Sequence, residues 1–332
     1  MTSIKTLEPF SRRAVLQGAA IASVTGVAGQ SALAVSSPTG SAIERLPLWP
    51  DGLPEVAPAN LAPQYRERAA LGAAADRELT GVLDPFIDIH RPNQPNGAAI
   101  LLVPGGGYRH MAIDKEGYDL ARWFAAHGVT AAVLAYRLPT EGWKKGGDTP
   151  LADAQRAMRL LRSRAAQLDI RLTQIAAMGF SAGGHLVANL GTQFGRAAYT
   201  PRLAVDQLSA RPDLVAPIYP AISLERLSKG FPAGETLFGK GPGADIAAHI
   251  PSQNVPADPP PFFLLHAEDD PLVDPSHSLD MRAALLAKGG RVETHLFAQG
   301  GHGFGLRKAA GLPLENWPQL FLNFARSLGW TV

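Results

Sequence analysis

The segment that most constrains the fold is a tight turn between an apolar strand and an apolar helix. Residues 175–178 (Ile-Ala-Ala-Met) predict a buried strand, and residues 186–190 (Leu-Val-Ala-Asn-Leu) predict the start of a helix. Between them, residues 179–183 read Gly-Phe-Ser-Ala-Gly. In a strand–turn–helix setting, Gly-x-Ser-x-Gly is the nucleophile elbow, where small neighbours permit a strained turn that lifts the serine hydroxyl clear of the sheet. Ser181 is therefore the candidate nucleophile.

Short apolar runs alternate with longer amphipathic stretches along the rest of the chain. The predicted strands are 86–90, 98–103, 129–136, 175–178, 214–218, 262–266 and 292–297, and the predicted helices are 116–127, 151–167, 276–288 and 317–328. The run 86–90 alternates with period two, which predicts a half-exposed strand, whereas 98–103 is uniformly apolar, as buried parallel strands are. The alternation predicts an α/β fold with one mostly parallel, twisted sheet and helices on both faces.

Composition excludes several classes of site. The chain has 332 residues and no cysteine, which removes a thiol nucleophile, a zinc–thiolate site, a disulfide framework and a lipoprotein anchor. Of 31 basic and 29 acidic residues, residues 1–34 hold three and one, which leaves 28 of each in the remainder. This balance argues against a nucleic-acid partner or an anionic-membrane surface.

Residues 1–34 predict a cleaved export signal. Residues 11–16 (Ser-Arg-Arg-Ala-Val-Leu) resemble the twin-arginine motif, a mildly apolar stretch follows, and residues 32–34 (Ala-Leu-Ala) offer a cleavage site. We expect the twin-arginine export machinery to recognise this signal. Residues 35–332 would then form a periplasmic or secreted catalytic domain without a membrane anchor. General secretion and an N-terminal helix without an export role are the alternatives.

A serine nucleophile needs a base, and the base needs an acid that orients it. With a nucleophile elbow, the acid and then the histidine follow the serine along the chain. His302, in a glycine-rich stretch just past the last predicted strand, is the candidate base. The loop 268–274 supplies the candidate acids, and spacing alone does not choose between Asp269, Asp270 and Asp274. A calcium loop or the paired carboxylates of a glycosidase are conceivable, but neither uses Ser181 or His302.

A second glycine-rich loop follows the apolar run 98–103. It reads Pro-Gly-Gly-Gly-Tyr over residues 104–108 and leaves backbone N–H groups bare. We expect an oxyanion hole formed by Gly106, Gly107 and Ala182, the residue after the nucleophile. Phosphate binding is the alternative, but no Gly-Lys-Ser/Thr follows the loop. Tyr108 is expected to line the acyl pocket or to pack beside the loop.

One stretch interrupts the alternation of strands and helices. Residues 221–260 contain many glycines and prolines and few sustained apolar periods. Such an insertion between two core strands predicts a short cap over the site. A surface excursion with no part in substrate choice is the alternative.

Taken together, these segments resemble the α/β-hydrolases, and more narrowly the bacterial serine esterases of the acetyl-xylan-esterase type, near the hormone-sensitive-lipase-like branch. The resemblance is carried by residues 104–108, 136–139, 153–157, 179–185, 266–270 and 300–304. It implies a triad of Ser181, His302 and Asp270 as the acid. Pro104 stands where the lipase-like branch usually has histidine, and this departure favours the sugar-ester group.

The resemblance implies a carboxylesterase that hydrolyses acetyl or other short acyl esters on plant polysaccharides or oligosaccharides. It implies no metal and no organic cofactor. A broad-specificity or feruloyl carboxylesterase, a serine peptidase and a non-catalytic carbohydrate-binding protein are the alternatives.

Overall fold

An eight-stranded sheet organises the part of the chain that the structure describes, residues 43–223 and 246–332 of a computed structural model. In spatial order its strands are β1 (Glu44–Pro47), β4 (Phe86–His90), β7 (Thr130–Ala135), β5 (Ala99–Val103), β8 (Ile175–Phe180), β9 (Leu214–Ile218), β10 (Phe262–Ala267) and β11 (Val292–Phe297). The strands from β7 to β11 are parallel, and β4 pairs antiparallel with both β1 and β7. The prediction of a mostly parallel sheet is confirmed.

Helices flank this sheet. They are α1 (Asp119–Ala126), α2 (Asp148–Ser163), α3 (Ala182–Thr192), α4 (Ser276–Ala287) and α5 (Trp317–Ser327). Helix α2 begins three residues before the predicted start. Pro150 lies in its first turn, where the backbone N–H that proline lacks would have no partner within the helix. A π-helical turn, Asp114–Tyr118, precedes α1 where the sequence predicted ordinary helix from residue 116. Within the described part of the chain, no helix is long and apolar enough to cross a membrane.

Strand β4 is buried along its whole length, so the prediction of a half-exposed strand is wrong. Strand β1 covers its outer edge. The polar residue in the middle of β4, Asp88, accepts two hydrogen bonds of 2.8 Å from Arg45 and one of 2.7 Å from the Tyr118 hydroxyl. The alternating pattern therefore reflects buried polar residues, of which Asp88 is hydrogen-bonded, and not a face in water.

A second, three-stranded antiparallel sheet lies outside the predicted elements. It consists of β2 (Gln64–Glu67), β3 (Arg77–Thr80) and β6 (Met111–Ala112). Arg66 and Arg68 both pair with the buried carboxylate of Glu78 on β3. This sheet thus combines buried apolar residues, Leu79 and Met111, with ion pairs to a buried carboxylate.

A buried ion pair attaches the segment before β2 to the main sheet. The Arg137 guanidinium lies 2.7 Å from the Asp153 carboxylate, and neither side chain is exposed. The Trp49 indole N–H also donates to Asp153, and Arg137 reaches Glu55 at 3.1 Å. Residues 49–55 are therefore fixed to the loop after β7 and to α2.

The carboxyl ends of β5, β8, β10 and β11 lie at one edge of the sheet because these strands are parallel. In open α/β sheets, ligands bind at this edge. The segments that follow these four strands are the glycine loop, the turn with Ser181, the loop with the candidate acids and the loop with His302.

Two predicted segments fall outside the described residues. These are the export signal, residues 1–34, and the central part of the predicted cap, residues 224–245. The described end of the cap segment forms two short 3-10 turns, Ala247–His249 and Pro251–Gln253. The second turn packs against α3 and α4.

Candidate active site

The turn between β8 and α3 has the strained geometry that the sequence predicted. Ser181 has φ 53° and ψ −114°. A Cβ on Gly179 would lie 2.1 Å from the Gly183 carbonyl oxygen, and one on Gly183 would lie 2.1 Å from that of Val103. Only glycine fits at both positions. The Ser181 N–H donates to the Ile218 carbonyl on β9 at 3.0 Å, which fixes the turn to the neighbouring strand.

The structure brings Ser181, His302 and Asp270 into one hydrogen-bonded chain. The Ser181 Oγ lies 2.8 Å from His302 Nε2, and His302 Nδ1 lies 2.6 Å from Asp270 Oδ2. Since a carboxylate only accepts, His302 donates from Nδ1, and its Nε2 is left to accept the serine proton. A base in this tautomer can activate a hydroxyl nucleophile.

Asp270 is held as a carboxylate by four donors. Its Oδ1 accepts the backbone N–H groups of Leu272 (2.8 Å) and Val273 (3.0 Å), and its Oδ2 lies 3.2 Å from His266 Nε2 as well as near His302. Burial alone would raise the pKa of Asp270, but the hydrogen bonds from His266 and His302 hold it well below its usual range. The group therefore stays ionised and can stabilise a positive imidazole.

The other two candidate acids contact backbone and not His302. Asp269 Oδ1 accepts the Gly301 N–H at 2.7 Å and so orders the loop that carries His302. Asp274 Oδ1 accepts the Ser276 N–H at 2.8 Å, at the first residue of α4. The geometry therefore distinguishes three carboxylates that spacing left equivalent.

The glycine loop beside Ser181 exposes two backbone donors. Gly106 has φ 132° and Gly107 has φ 64°, and a Cβ on Gly106 would lie 2.2 Å from the His110 carbonyl oxygen. Neither N–H donates to a backbone or side-chain acceptor among the described residues. Ala182 is the first residue of α3, where an N–H has no partner within the helix. All three are thus available to an oxyanion.

Glu116 is a residue of the site that the sequence analysis missed. It is buried, its Oε2 accepts the Gly105 N–H at 2.9 Å, and its Oε1 accepts the Tyr219 hydroxyl at 3.1 Å. The Tyr219 ring packs edge-on against the His302 imidazole with centroids 5.0 Å apart. Burial raises the pKa of Tyr219 well above its ordinary value, so the hydroxyl remains a donor. Glu116 therefore connects the glycine loop to the packing around the histidine.

Tyr108 does not line the cavity beside Ser181, so of its two predicted places it takes the one beside the loop. It is 1% exposed, and its hydroxyl lies 2.7 Å from His185 Nδ1. His185 Nε2 donates to the His249 carbonyl at 2.7 Å, so the tyrosine is the donor to Nδ1. Burial lowers the pKa of His185 to about 3, which keeps the ring neutral. The hydrogen bond between Tyr108 and His185 therefore stabilises α3 next to the nucleophile elbow.

A cavity of about 350 Å³ opens beside the serine and histidine. Its described lining includes Gly106, Gly107, Ala112, Glu116, Ser181, Leu272, His302 and Gly303, together with the basic side chains Arg68, Arg109, His110, Lys115 and Lys308. No cluster of three or more histidine, aspartate or glutamate side chains with the geometry of a metal site occurs among residues 43–223 and 246–332.

Known proteins resemble the chain in sequence and in structure. The model of the BD-FAE family matches residues 87–285. An acetylxylan esterase of Xylanibacter ruminicola is 30% identical over 220 residues, which are 64% of this chain and 42% of that protein. Endo-1,4-beta-xylanase B of Butyrivibrio fibrisolvens is 31% identical over 206 residues, 61% of this chain and 32% of that protein. The matches thus span less than half the length of these curated relatives.

Among solved structures, an acetyl ester-xyloside bifunctional hydrolase of Caldicellulosiruptor lactoaceticus resembles most of the chain. It is 29% identical, with a TM-score of 0.70 over 89% of this chain and 99% of that one. An esterase of Thermogutta terrifontis, with butyrate bound, is 25% identical with a TM-score of 0.63, over 75% of this chain and 91% of that one. The predicted α/β-hydrolase fold is confirmed by these likenesses.

Proposed function

Because the chain belongs to the BD-FAE family, we propose that it is a serine carboxylesterase that hydrolyses acetyl or other short acyl esters. The observation that carries the proposal is the hydrogen-bonded chain from Ser181 through His302 to Asp270, beside two glycine N–H groups that have no acceptor among the described residues. A nucleophile, a base in the right tautomer, an ionised acid and oxyanion donors are the parts that acyl transfer needs.

In the first half of the proposed reaction, the Ser181 hydroxyl attacks the ester carbonyl while His302 Nε2 takes its proton. Asp270 stabilises the imidazolium that forms. The negative charge on the tetrahedral intermediate is held by N–H groups of the glycine loop and of Ala182. His302 then gives its proton to the leaving alcohol, and the acyl group remains on the serine.

In the second half, water takes the place of the serine hydroxyl. His302 removes a proton from the water, which attacks the acyl-enzyme, and the same donors hold the second oxyanion. Return of the proton to Ser181 Oγ releases the carboxylic acid. The chain's own residues supply every proton transfer in this cycle.

The proposed substrates are acetyl esters on plant polysaccharides. Supporting this, one relative is an acetylxylan esterase, and the similar Caldicellulosiruptor lactoaceticus structure is an acetyl ester-xyloside hydrolase. The volume of the cavity, about 350 Å³, lies at the small end of ligand pockets and suits a short acyl group with part of a sugar. A broad-specificity or feruloyl carboxylesterase is the second candidate.

An acyl-chain series followed by a polysaccharide tests the substrate. We expect kcat/KM for 4-nitrophenyl acetate to exceed that for the butyrate by about tenfold or more, since a single misplaced methylene costs about 1–3 kcal/mol. We also expect acetate release from acetylated xylan above a heat-inactivated blank. Faster hydrolysis of feruloyl esters, with no acetate from the polysaccharide, would replace the acetyl-ester proposal by the feruloyl one.

Export is a further part of the proposal and depends on the sequence of residues 1–34, outside the described residues. The twin-arginine machinery would carry the chain to the periplasm or beyond. We expect the exported protein to begin at Val35, and we expect Arg12→Lys with Arg13→Lys to keep it in the cytoplasm. N-terminal sequencing and cell fractionation check both points. An intact Met1 on protein recovered outside the cytoplasm would contradict cleavage.

A further inference from the structure

Three basic side chains from separate segments converge on the cavity beside Ser181. Arg109 directly follows the glycine loop, Lys115 lies in the π-helical turn, and Lys308 follows the loop that carries His302. Each of these segments also positions part of the proposed catalytic machinery. The positive charges are therefore attached to the same rigid elements as the reacting groups.

These three side chains form no ion pair with any aspartate or glutamate among residues 43–223 and 246–332. The remaining basic residues of the lining differ in this respect. Arg68 pairs with Asp76 and Glu78 at 2.9 Å each, and His110 lies 3.1 Å from Glu78. Within the described part of the chain, these three cations thus make an excess of positive charge along the cavity lining.

Acidic side chains are few among the described residues that line the cavity. Glu116 supplies the one carboxylate among them, and both of its oxygens already accept hydrogen bonds from Gly105 and Tyr219. Residues 35–332 contain 28 basic and 28 acidic residues, so the excess at the cavity is local. A cleft lined by one sign of charge attracts ligands of the opposite sign.

Lys115 lies beside the loop that carries His302. A Cβ built on Gly303, the residue after His302, would lie 3.4 Å from the Lys115 ammonium. Arg109 and Lys308 are exposed and line the same cavity. An anionic group in the cavity would therefore meet one cation beside the loop that carries His302 and two more exposed cations.

From this geometry we propose that the preferred esters carry a carboxylate beside the hydrolysed bond, and that Lys115, Arg109 and Lys308 bind it. An acetylated saccharide with a uronic acid substituent has this chemistry on the alcohol side, and a hemisuccinyl ester has it on the acyl side. The inference rests on the proposed esterase function and names its substrate class.

Matched pairs of substrates test the preference. One arm compares acetylated xylo-oligosaccharides with and without a uronic acid, and the other compares 4-nitrophenyl hydrogen succinate with its methyl ester. We expect the anionic member of one pair to have a kcat/KM about tenfold higher at low salt, and the ratio to fall severalfold at 0.5 M NaCl through screening. The arm that shows the preference identifies the side of the ester that the cations bind.

Variants assign the preference to the named side chains. Lys115→Gln is expected to lower the anionic-to-neutral ratio by about threefold or more, mainly through KM of the anionic substrate. Arg109→Gln with Lys308→Gln is a second variant at exposed positions, where folding is at little risk. Lys288→Gln, at the end of α4, is the charge-matched control and should leave the ratio unchanged.

The possible outcomes distinguish a failure of the carboxylate preference from a failure of the proposed esterase function. A ratio near one in both arms, or a ratio that neither variant changes, overturns the carboxylate preference while the esterase stands. Absence of hydrolysis with every ester, neutral and anionic, overturns the esterase itself.

Discussion

Replacement of Ser181 by alanine is expected to lower kcat for 4-nitrophenyl acetate by about 10⁴-fold or more, the scale seen when a triad nucleophile is removed. The hydroxyl is the only part of the side chain that is lost, and its partner is His302 Nε2 at 2.8 Å. Alanine keeps the Cβ in the same strained backbone position. Folding should therefore be nearly unchanged, and thermal unfolding measured beside the assay checks this.

The serine variant has a matched control and an independent readout. Ser163→Ala, at the exposed end of α2, should retain the full activity. A fluorophosphonate probe should label the wild type and the control but not Ser181→Ala. If Ser181→Ala kept more than about a hundredth of the wild-type kcat, another residue would be the nucleophile.

Asp270→Asn is expected to lower kcat by about 10³- to 10⁴-fold through the wrong histidine tautomer. Asp270 Oδ1 accepts two backbone N–H groups, so the asparagine oxygen takes that position. The amide NH₂ then faces His302 Nδ1 and donates to it. The remaining ring proton moves to Nε2, which can no longer accept the Ser181 proton.

The neighbouring carboxylates provide controls of the same chemistry. Asp269 and Asp274 each accept one backbone N–H through Oδ1, and an asparagine oxygen can do the same. Asp269→Asn and Asp274→Asn should therefore stay within about fivefold of wild-type kcat. A larger fall in either variant than in Asp270→Asn would move the role of the acid to that residue.

The parallel core was predictable because a strand that is buried on both faces is a continuous apolar run in the sequence. Strand β9 was predicted to the residue, and β5, β7 and β10 within one residue at each end, since strands covered on both faces are uniformly apolar. Strands β1, β2, β3 and β6 carry no such signal. They have two to four residues each, β2 is exposed throughout, and β1 and β6 pair with strands that are distant in sequence.

The candidate site was predictable where the backbone imposes the residue type. The elbow requires glycine at positions 179 and 183, because a Cβ there would clash with backbone oxygen atoms. The direction in which a side chain points has no comparable pattern in the sequence. Three carboxylates in one loop differ in what they face, and only the folded loop shows that Asp270 faces His302.

Contacts across the fold explain what the sequence analysis missed. Glu116 and Tyr219 meet although 103 residues separate them, and no local pattern encodes that pair. Tyr108 follows three glycines, which suggested a place near the substrate. Its hydroxyl instead finds a buried histidine nitrogen on α3, a partner that the sequence does not pair with it.

The distance along the chain between Ser181 and His302 has a consequence for the stage of folding at which activity first appears. These residues are 121 positions apart, and β9, β10 and β11 are laid down between them. Until those strands are in place the serine has no base and is as inert as any other hydroxyl. A nascent or half-folded chain is therefore latent, and the onset of hydrolysis marks the completion of the sheet.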